Sequence, residues 1–180
     1  MMGAIQRRTQ PALTYATAAH AAVGQRRKYT LEPYIVHPIR VANIVDSYGG
    51  TDDMISAAYL HDVVEDTKIT IEDINDMFGS VIAVIVDGLT DVSIASDGNR
   101  AERKAIDRAH SADATWAAQF VKCADMIDNS GDISVNDPSF NVVYCKEMLL
   151  LLEVLDKVKD EPIYKAATEA VNSALLSSTK

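Results

Sequence analysis

The sequence predicts an all-α fold, a bundle of about eight or nine helices around one core. Two patterns carry this prediction. Apolar residues recur at helical spacing through most of the chain, and Gly, Pro, Ser, Thr and Asp fall at the ends of those runs. Composition agrees. The chain has 180 residues, 48% of them hydrophobic and 24% charged, with five prolines and eight glycines. This is an ordinary globular balance at a length that suits one domain, residues 1–180.

Taken in order, Pro11 opens a segment that runs to about Gly24, with Leu13, Ala16, Thr17, His20 and Val23 at helical spacing. The basic stretch GQRRKYTLEP follows as a connection. HPIRVANIVDSYGG reads as a helix from His37–Pro38 to Gly49–Gly50. Thr51, with Asp52 and Asp53 behind it, starts the helix through MISAAYLHDVVED. Thr70 and Asp73 form a capping-box pattern ahead of IEDINDMF. SVIAVIVDGL suits a buried strand or a buried helix, and its helical neighbours favour helix. ASDGN is a turn, with helices expected near 99–110 and 112–129. SGDISVNDPS reads as a loop, and two further helices, within about 139–177, close the chain.

The formal net charge is −9, the opposite of the balance of a general nucleic-acid binder. A small anion can still be held where cations cluster or a metal sits. Cys123 and Cys145 lie in apolar helical segments and read as reduced thiols of a cytoplasmic protein. The N-terminal stretch is broken by Arg7, Arg8, Gln10 and Pro11, so neither a leader nor a membrane span is expected.

One segment resists a purely structural reading. AAYLHDVVEDT places His61, Asp62, Glu65 and Asp66 within six positions of an apolar helix. On a continuous helix they share one side, opposite Met54, Ile55, Ala58, Tyr59 and Val63. Three carboxylates crowded there repel one another, and a bound divalent cation removes the difficulty. His37, in YIVHPI, and Asp125, in VKCADMIDN, offer ligands of the same kind. A mixed nitrogen and oxygen set suits Mn²⁺, Fe²⁺ or Zn²⁺, and its hard oxygens favour Mn²⁺.

These segments, GQRRKYTLEPYIVHPIRVA, AAYLHDVVEDT, FGSVIAVIVDGLTDVS and VKCADMIDN, resemble successive motifs of the HD-domain hydrolases that degrade the alarmone ppGpp. That family comprises the hydrolase domain of Rel/SpoT-type stringent-response enzymes and the stand-alone small alarmone hydrolases. The resemblance covers about residues 10 to 150 and is nearer the stand-alone class. It implies an all-helical HD domain and one Mn²⁺ held by His37, His61, Asp62 and Asp125. Glu65 and Asp66 are implied as the catalytic acidic pair, Arg27 and Lys28 as nucleotide-binding cations, and Asn129 as a ribose neighbour. The implied reaction removes pyrophosphate from the nucleotide 3′-position. Two departures bear on the substrate: YTL stands where many relatives carry a short Ser-Gly, and DMIDN replaces a segment with a basic residue and His before the final Asn.

On this reading the metal acidifies a water and Glu65, assisted by Asp66, holds or deprotonates it. Arg27 stacks on the base and Lys28 meets phosphate. Arg100, Arg103, Lys104 and Arg108 form a second basic strip, either for distal phosphates or as an exposed face paired with Glu102 and Asp107. Asn129 holds a ribose hydroxyl or caps a helix before Ser130–Gly131. Two alternatives stand beside ppGpp hydrolysis. One is a related phosphohydrolase acting on an adenosine alarmone, a pyrophosphorylated tRNA 3′ end or the 2′-phosphate of NADPH. The other is a catalytically silent nucleotide-binding module.

Overall fold

The computed structural model describes the backbone of residues 2–178 and the side chains of residues 8–178. Among the described residues the regular elements are all helical, ten α-helices and two short 3₁₀ turns. The helices group into two compact units, Met1–Thr90 and Asp91–Lys180.

The first unit holds six helices: α1 (Met2–Ala22), α2 (Val36–Ser47), α3 (Asp52–Leu60), α4 (Val63–Asp66), α5 (Ile71–Phe78) and α6 (Ser80–Leu89). At its centre is α3, against which α1, α2 and α6 pack. Met54, Ile55, Ala57, Ala58 and Leu60 are all buried, and the two alanines let neighbouring backbones come close. Thr51 starts α3 by accepting a hydrogen bond from the Met54 amide at 3.3 Å, a cap worth about 1 kcal/mol. The turn before it depends on Gly50, where a Cβ would collide with the buried Val45 side chain. The Thr70–Asp73 capping box forms as expected. SVIAVIVDGL is helical, with Ile82, Ala83, Ile85, Val86 and Leu89 on its buried side.

Two elements here differ from the sequence expectation. Pro11 lies inside α1 instead of opening it. The lost backbone donor is tolerated where Ala12 and Ala16 bury one side of the helix. The helix expected over MISAAYLHDVVED is broken at His61–Asp62 into α3 and the single turn α4. At Asp62, φ is −97° and ψ −3°, close to the bridge region and well off helical ψ. That break adds a helix to the eight or nine expected.

The second unit holds α7 (Arg100–Asp113), α8 (Trp116–Asn136), α9 (Pro138–Val154) and α10 (Pro162–Ser177), with α8 packed on both α9 and α10. Phe120, Val121, Cys123, Ala124 and Met126 of α8 meet a core shared with Leu151, Leu152, Ile163, Ala167 and Val171. The segment expected as the loop SGDISVNDPS is mostly helix, because α8 continues to Asn136. The turn residues are outweighed by burial: Ser130 is 1% exposed, and Tyr144 of α9 is buried too. No described helix is long and apolar enough to cross a membrane.

Candidate metal centre

His37 enters the site from the first turn of α2, with its amide bonded to the Tyr34 carbonyl at 3.1 Å. His61 and Asp62 enter from the break between α3 and α4. His37, His61 and Asp62 each present a donor atom, and these three atoms lie within 4.8 Å of one another. Asp62 Oδ2 is 3.1 Å from His61 Nε2 and 3.6 Å from His37 Nε2. Both imidazoles are buried, at 2% and 1% side-chain exposure, and their rings meet edge-on with centroids 5.1 Å apart.

The chemistry of these donors fits a cation. His61 Nδ1 lies 2.8 Å from the Ala58 carbonyl. A carbonyl only accepts, so Nδ1 carries the proton and, in the neutral ring, Nε2 keeps its lone pair. That lone pair sits beside a carboxylate oxygen, two electron donors facing each other, an arrangement relieved by a cation or an added proton. Two atoms bound to one transition-metal ion at about 2.1 Å lie at most roughly 4.2 Å apart. Both measured histidine–carboxylate separations are within that limit.

A second layer steadies the first. The Tyr34 hydroxyl donates to Asp62 Oδ2 at 2.6 Å, and the Tyr34 ring packs against His37 at 6.0 Å and His20 at 4.8 Å. On α4, Glu65 and Asp66 are exposed. Gln25 Nε2 donates to Asp66 Oδ2 at 2.7 Å, and Gln25 Oε1 lies 2.7 Å from His20 Nδ1. Partial desolvation raises the Asp66 carboxyl above the ordinary carboxylate range. The Gln25 bond opposes the shift and the charge of Asp62 adds to it. Sequence reasoning missed Tyr34 and Gln25 and left His20 without a role. The available signal was weak: Tyr34 precedes His37 by three residues and Gln25 follows His20 by five, spacings common in any helical protein.

The basic connection is an ordered loop. An antiparallel bridge joins Arg26 to Pro33, and the Arg27 amide bonds to the Glu32 carbonyl at 2.9 Å. Arg27 is only 8% exposed, with its guanidinium 5.8 Å from the Tyr34 ring centroid. Lys28 Nζ reaches the Tyr29 hydroxyl at 3.2 Å. Leu31 is 66% exposed and holds φ +60°, a left-handed conformation that ordinarily falls to Gly or Asn.

In the second unit, Asn129 Nδ2 donates to Asp125 Oδ1 at 2.7 Å, one turn apart on α8. Asn129 lies inside that helix, so the alternative reading of it as a cap before Ser130–Gly131 does not hold. Lys122 Nζ stands 4.0 Å from Asp125 Oδ2. Three cations of the α7 basic strip are engaged with partners. Arg100 makes a bidentate pair with Glu147 at 2.6 and 2.8 Å, Lys104 pairs with Asp91 and Asp107, and Arg103 bonds to the Gly98 carbonyl. Burial pushes the Cys123 thiol up to about 12, which makes it an inert core residue at neutral pH.

A helical chain that gathers two buried imidazoles and a contiguous His-Asp pair into one metal-competent cluster defines a small class of proteins. The chain belongs to the HD domain family, which matches residues 12–126. A Drosophila melanogaster protein, "Guanosine-3′,5′-bis(diphosphate) 3′-pyrophosphohydrolase MESH1", is 36% identical over 130 residues, covering 71% of this chain and 70% of its own length. A Synechocystis sp. protein described as a probable guanosine-3′,5′-bis(diphosphate) 3′-pyrophosphohydrolase is 43% identical over 94 residues. That match spans 52% of this chain and 12% of the relative. Among solved structures, one described as "A metazoan ortholog of SpoT hydrolyzes ppGpp and plays a role in starvation responses" superposes with a TM-score of 0.78. It shares 27% identity, over 92% of this chain and 94% of that one.

Proposed function

We propose that this protein is a metal-dependent phosphohydrolase that removes the 3′-pyrophosphate of guanosine 3′,5′-bispyrophosphate (ppGpp) or its 5′-triphosphate form (pppGpp), releasing GDP or GTP respectively, with pyrophosphate. The observation that carries the proposal is the buried cluster of His37, His61 and Asp62 in an HD-family chain. A relative that matches over most of both lengths bears this activity in its name.

His37, His61 and Asp62 would hold the ion, with Asp125 as the fourth ligand. The assignment of Asp125, like that of Asn129 to the ribose, rests on the motif VKCADMIDN. We also hold residues 1–180 to be one functional domain, because the family match runs across the boundary at Thr90. Mn²⁺ is the ion we favour, since two imidazoles with carboxylate oxygens form a mixed set without thiolate. When bound, the ion supplies positive charge for the phosphoryl oxygens and a more acidic water. Glu65 takes the proton of the attacking water, and Asp66 holds that water in line. Attack falls on the phosphorus nearest the 3′-oxygen. The bond between that phosphorus and the 3′-oxygen breaks, the 3′-oxygen gains a proton and pyrophosphate leaves. Arg27 offers its guanidinium face to the base and Lys28 its ammonium to phosphate. A small nucleotide is the expected partner, general nucleic-acid binding is not expected at this net charge, and the setting we assign is the cytoplasm.

The test is a substrate panel with purified protein and Mn²⁺, separating released pyrophosphate from released phosphate. We expect pyrophosphate from ppGpp, with the adenosine alarmone, pyrophosphorylated tRNA and NADPH turned over more slowly. Glu65→Gln should keep metal binding and lower kcat by about 100-fold or more. Binding of ppGpp without turnover in the unmutated protein would overturn the proposal in favour of a silent binding module.

A further inference from the structure

We propose that His20, acting through Gln25, is a positioning residue for Asp66. This rests on the assignment of Asp66 to the catalytic pair made above. The three residues form a directed chain. Gln25 Nε2 donates to Asp66 Oδ2 at 2.7 Å, which turns the amide oxygen of Gln25 toward His20 Nδ1, also at 2.7 Å. An amide oxygen only accepts, so His20 carries its proton on Nδ1.

Each link is held from outside the chain. The His20 ring is 1% exposed and lies against Tyr34, whose hydroxyl grips Asp62. The Gln25 backbone is fixed at both ends, its amide bonded to the His20 carbonyl at 3.0 Å and its carbonyl accepting from the Tyr34 amide at 3.3 Å. The buried His20 ring and the anchored Gln25 backbone together set where the amide can reach Asp66. The carboxylate itself sits on a one-turn helix at an exposed edge, where its own backbone constrains it little. His20 Nε2 is buried and meets no hydrogen-bond partner among the described residues. A residue kept only for packing gains nothing from that orphaned nitrogen, because leaving a buried acceptor unsatisfied costs stability. A residue kept for the direction of its Nδ1–H must accept it.

The arrangement fixes which Asp66 oxygen remains for chemistry. Oδ2 is committed to the amide, so Oδ1 is the oxygen presented to a water. A neutral amide does this without the full positive charge that would weaken Asp66 as a hydrogen-bond acceptor for that water.

The experiment combines NMR with kinetics. In the unmutated protein, the ¹⁵N shifts of His20 should report the Nδ1–H tautomer, and Gln25→Ala should abolish that signature. Gln25→Ala should lower kcat about tenfold with KM within about twofold, at an unchanged melting temperature. His20→Asn keeps a donor near the Nδ1 position and should recover most of the rate that His20→Gln loses. In an Asp66→Asn background, Gln25→Ala should cost nothing further. Parental kcat in Gln25→Ala, an equal slowing of both backgrounds, or an Nε2–H tautomer in the unmutated protein overturns the positioning role. A fully active Asp66→Asn overturns instead the assignment of Asp66, and the relay's purpose with it, while the Nδ1–H signal remains. The tautomer measurement needs no variant, so a substitution that fails to fold does not shield the proposal.

Discussion

Tyr34 shows how much of this site is decided by single atoms. Its hydroxyl binds the same Asp62 oxygen that both imidazoles approach, which aims one lone pair of that oxygen and leaves the other for a cation. Outer partners of this kind set ligand orientation, and losing one typically costs about 10- to 100-fold in metal affinity. Tyr34→Phe should therefore weaken Mn²⁺ binding by about tenfold in a calorimetric titration while leaving the fold intact, since the ring and its contacts remain. An unchanged affinity would show that the neighbouring backbone already fixes Asp62. The ligand residue types were legible in the sequence because imidazole and carboxylate in an apolar stretch are costly without a purpose. Tyr34 was not, because a tyrosine on a helical approach is chemically ordinary until its hydroxyl is located.

Among the elements, Asp107 makes a comparable commitment. It is 5% exposed on α7 and binds the amides of Val92 and Ser93 at 3.1 and 2.9 Å, so one side chain anchors the segment leading into the helix. Burial alone would raise its pKa; the Ser93 bonds and the Lys104 charge outweigh burial and hold the carboxyl below the ordinary carboxylate range. A carboxyl depressed in the folded state contributes stability that is present above about pH 4 and lost as pH falls through its folded value. Asp107→Asn should cost about 1–3 kcal/mol at neutral pH and flatten the acid limb of the stability curve in urea titrations. The element boundaries were legible where side-chain chemistry marked them, as at Thr51 and Thr70. They were not where tertiary packing overruled a local signal. Ser130–Gly131 reads as a turn but is carried through as helix by burial of Ser130, and Pro11, itself exposed, sits within α1 because Ala12 and Ala16 beside it are buried. The break at Asp62 leaves the apolar spacing on either side undisturbed, so periodicity could not reveal it.

The net charge of −9 bears on the molecule as a whole. It draws divalent cations and repels a polyanionic nucleotide, so on the proposed function the Arg26–Lys28 stretch would have to reverse the field locally. Metal should then matter to folding as well as turnover. An ion that binds only the folded chain adds about 2.7 kcal/mol at a hundredfold excess over its dissociation constant. In a protein of this size that is about 5–10 °C in melting temperature. Treatment with EDTA should abolish turnover and lower the melting temperature by that amount, and Mn²⁺ should restore both. A chelated protein that melts unchanged would mean that the cluster binds no structural load.

The break at His61–Asp62 has a mechanical corollary. The helix is interrupted at the two residues that would grip the ion, so coordination would act as a rivet through a joint, and its grip would be felt first by the short helical turn beyond. Amide hydrogen exchange over Val63–Asp66 should slow markedly on Mn²⁺ addition, ahead of any change in the α3 core. The backbone that carries Glu65 and Asp66 would thus be stiffened by the same event that arms the site.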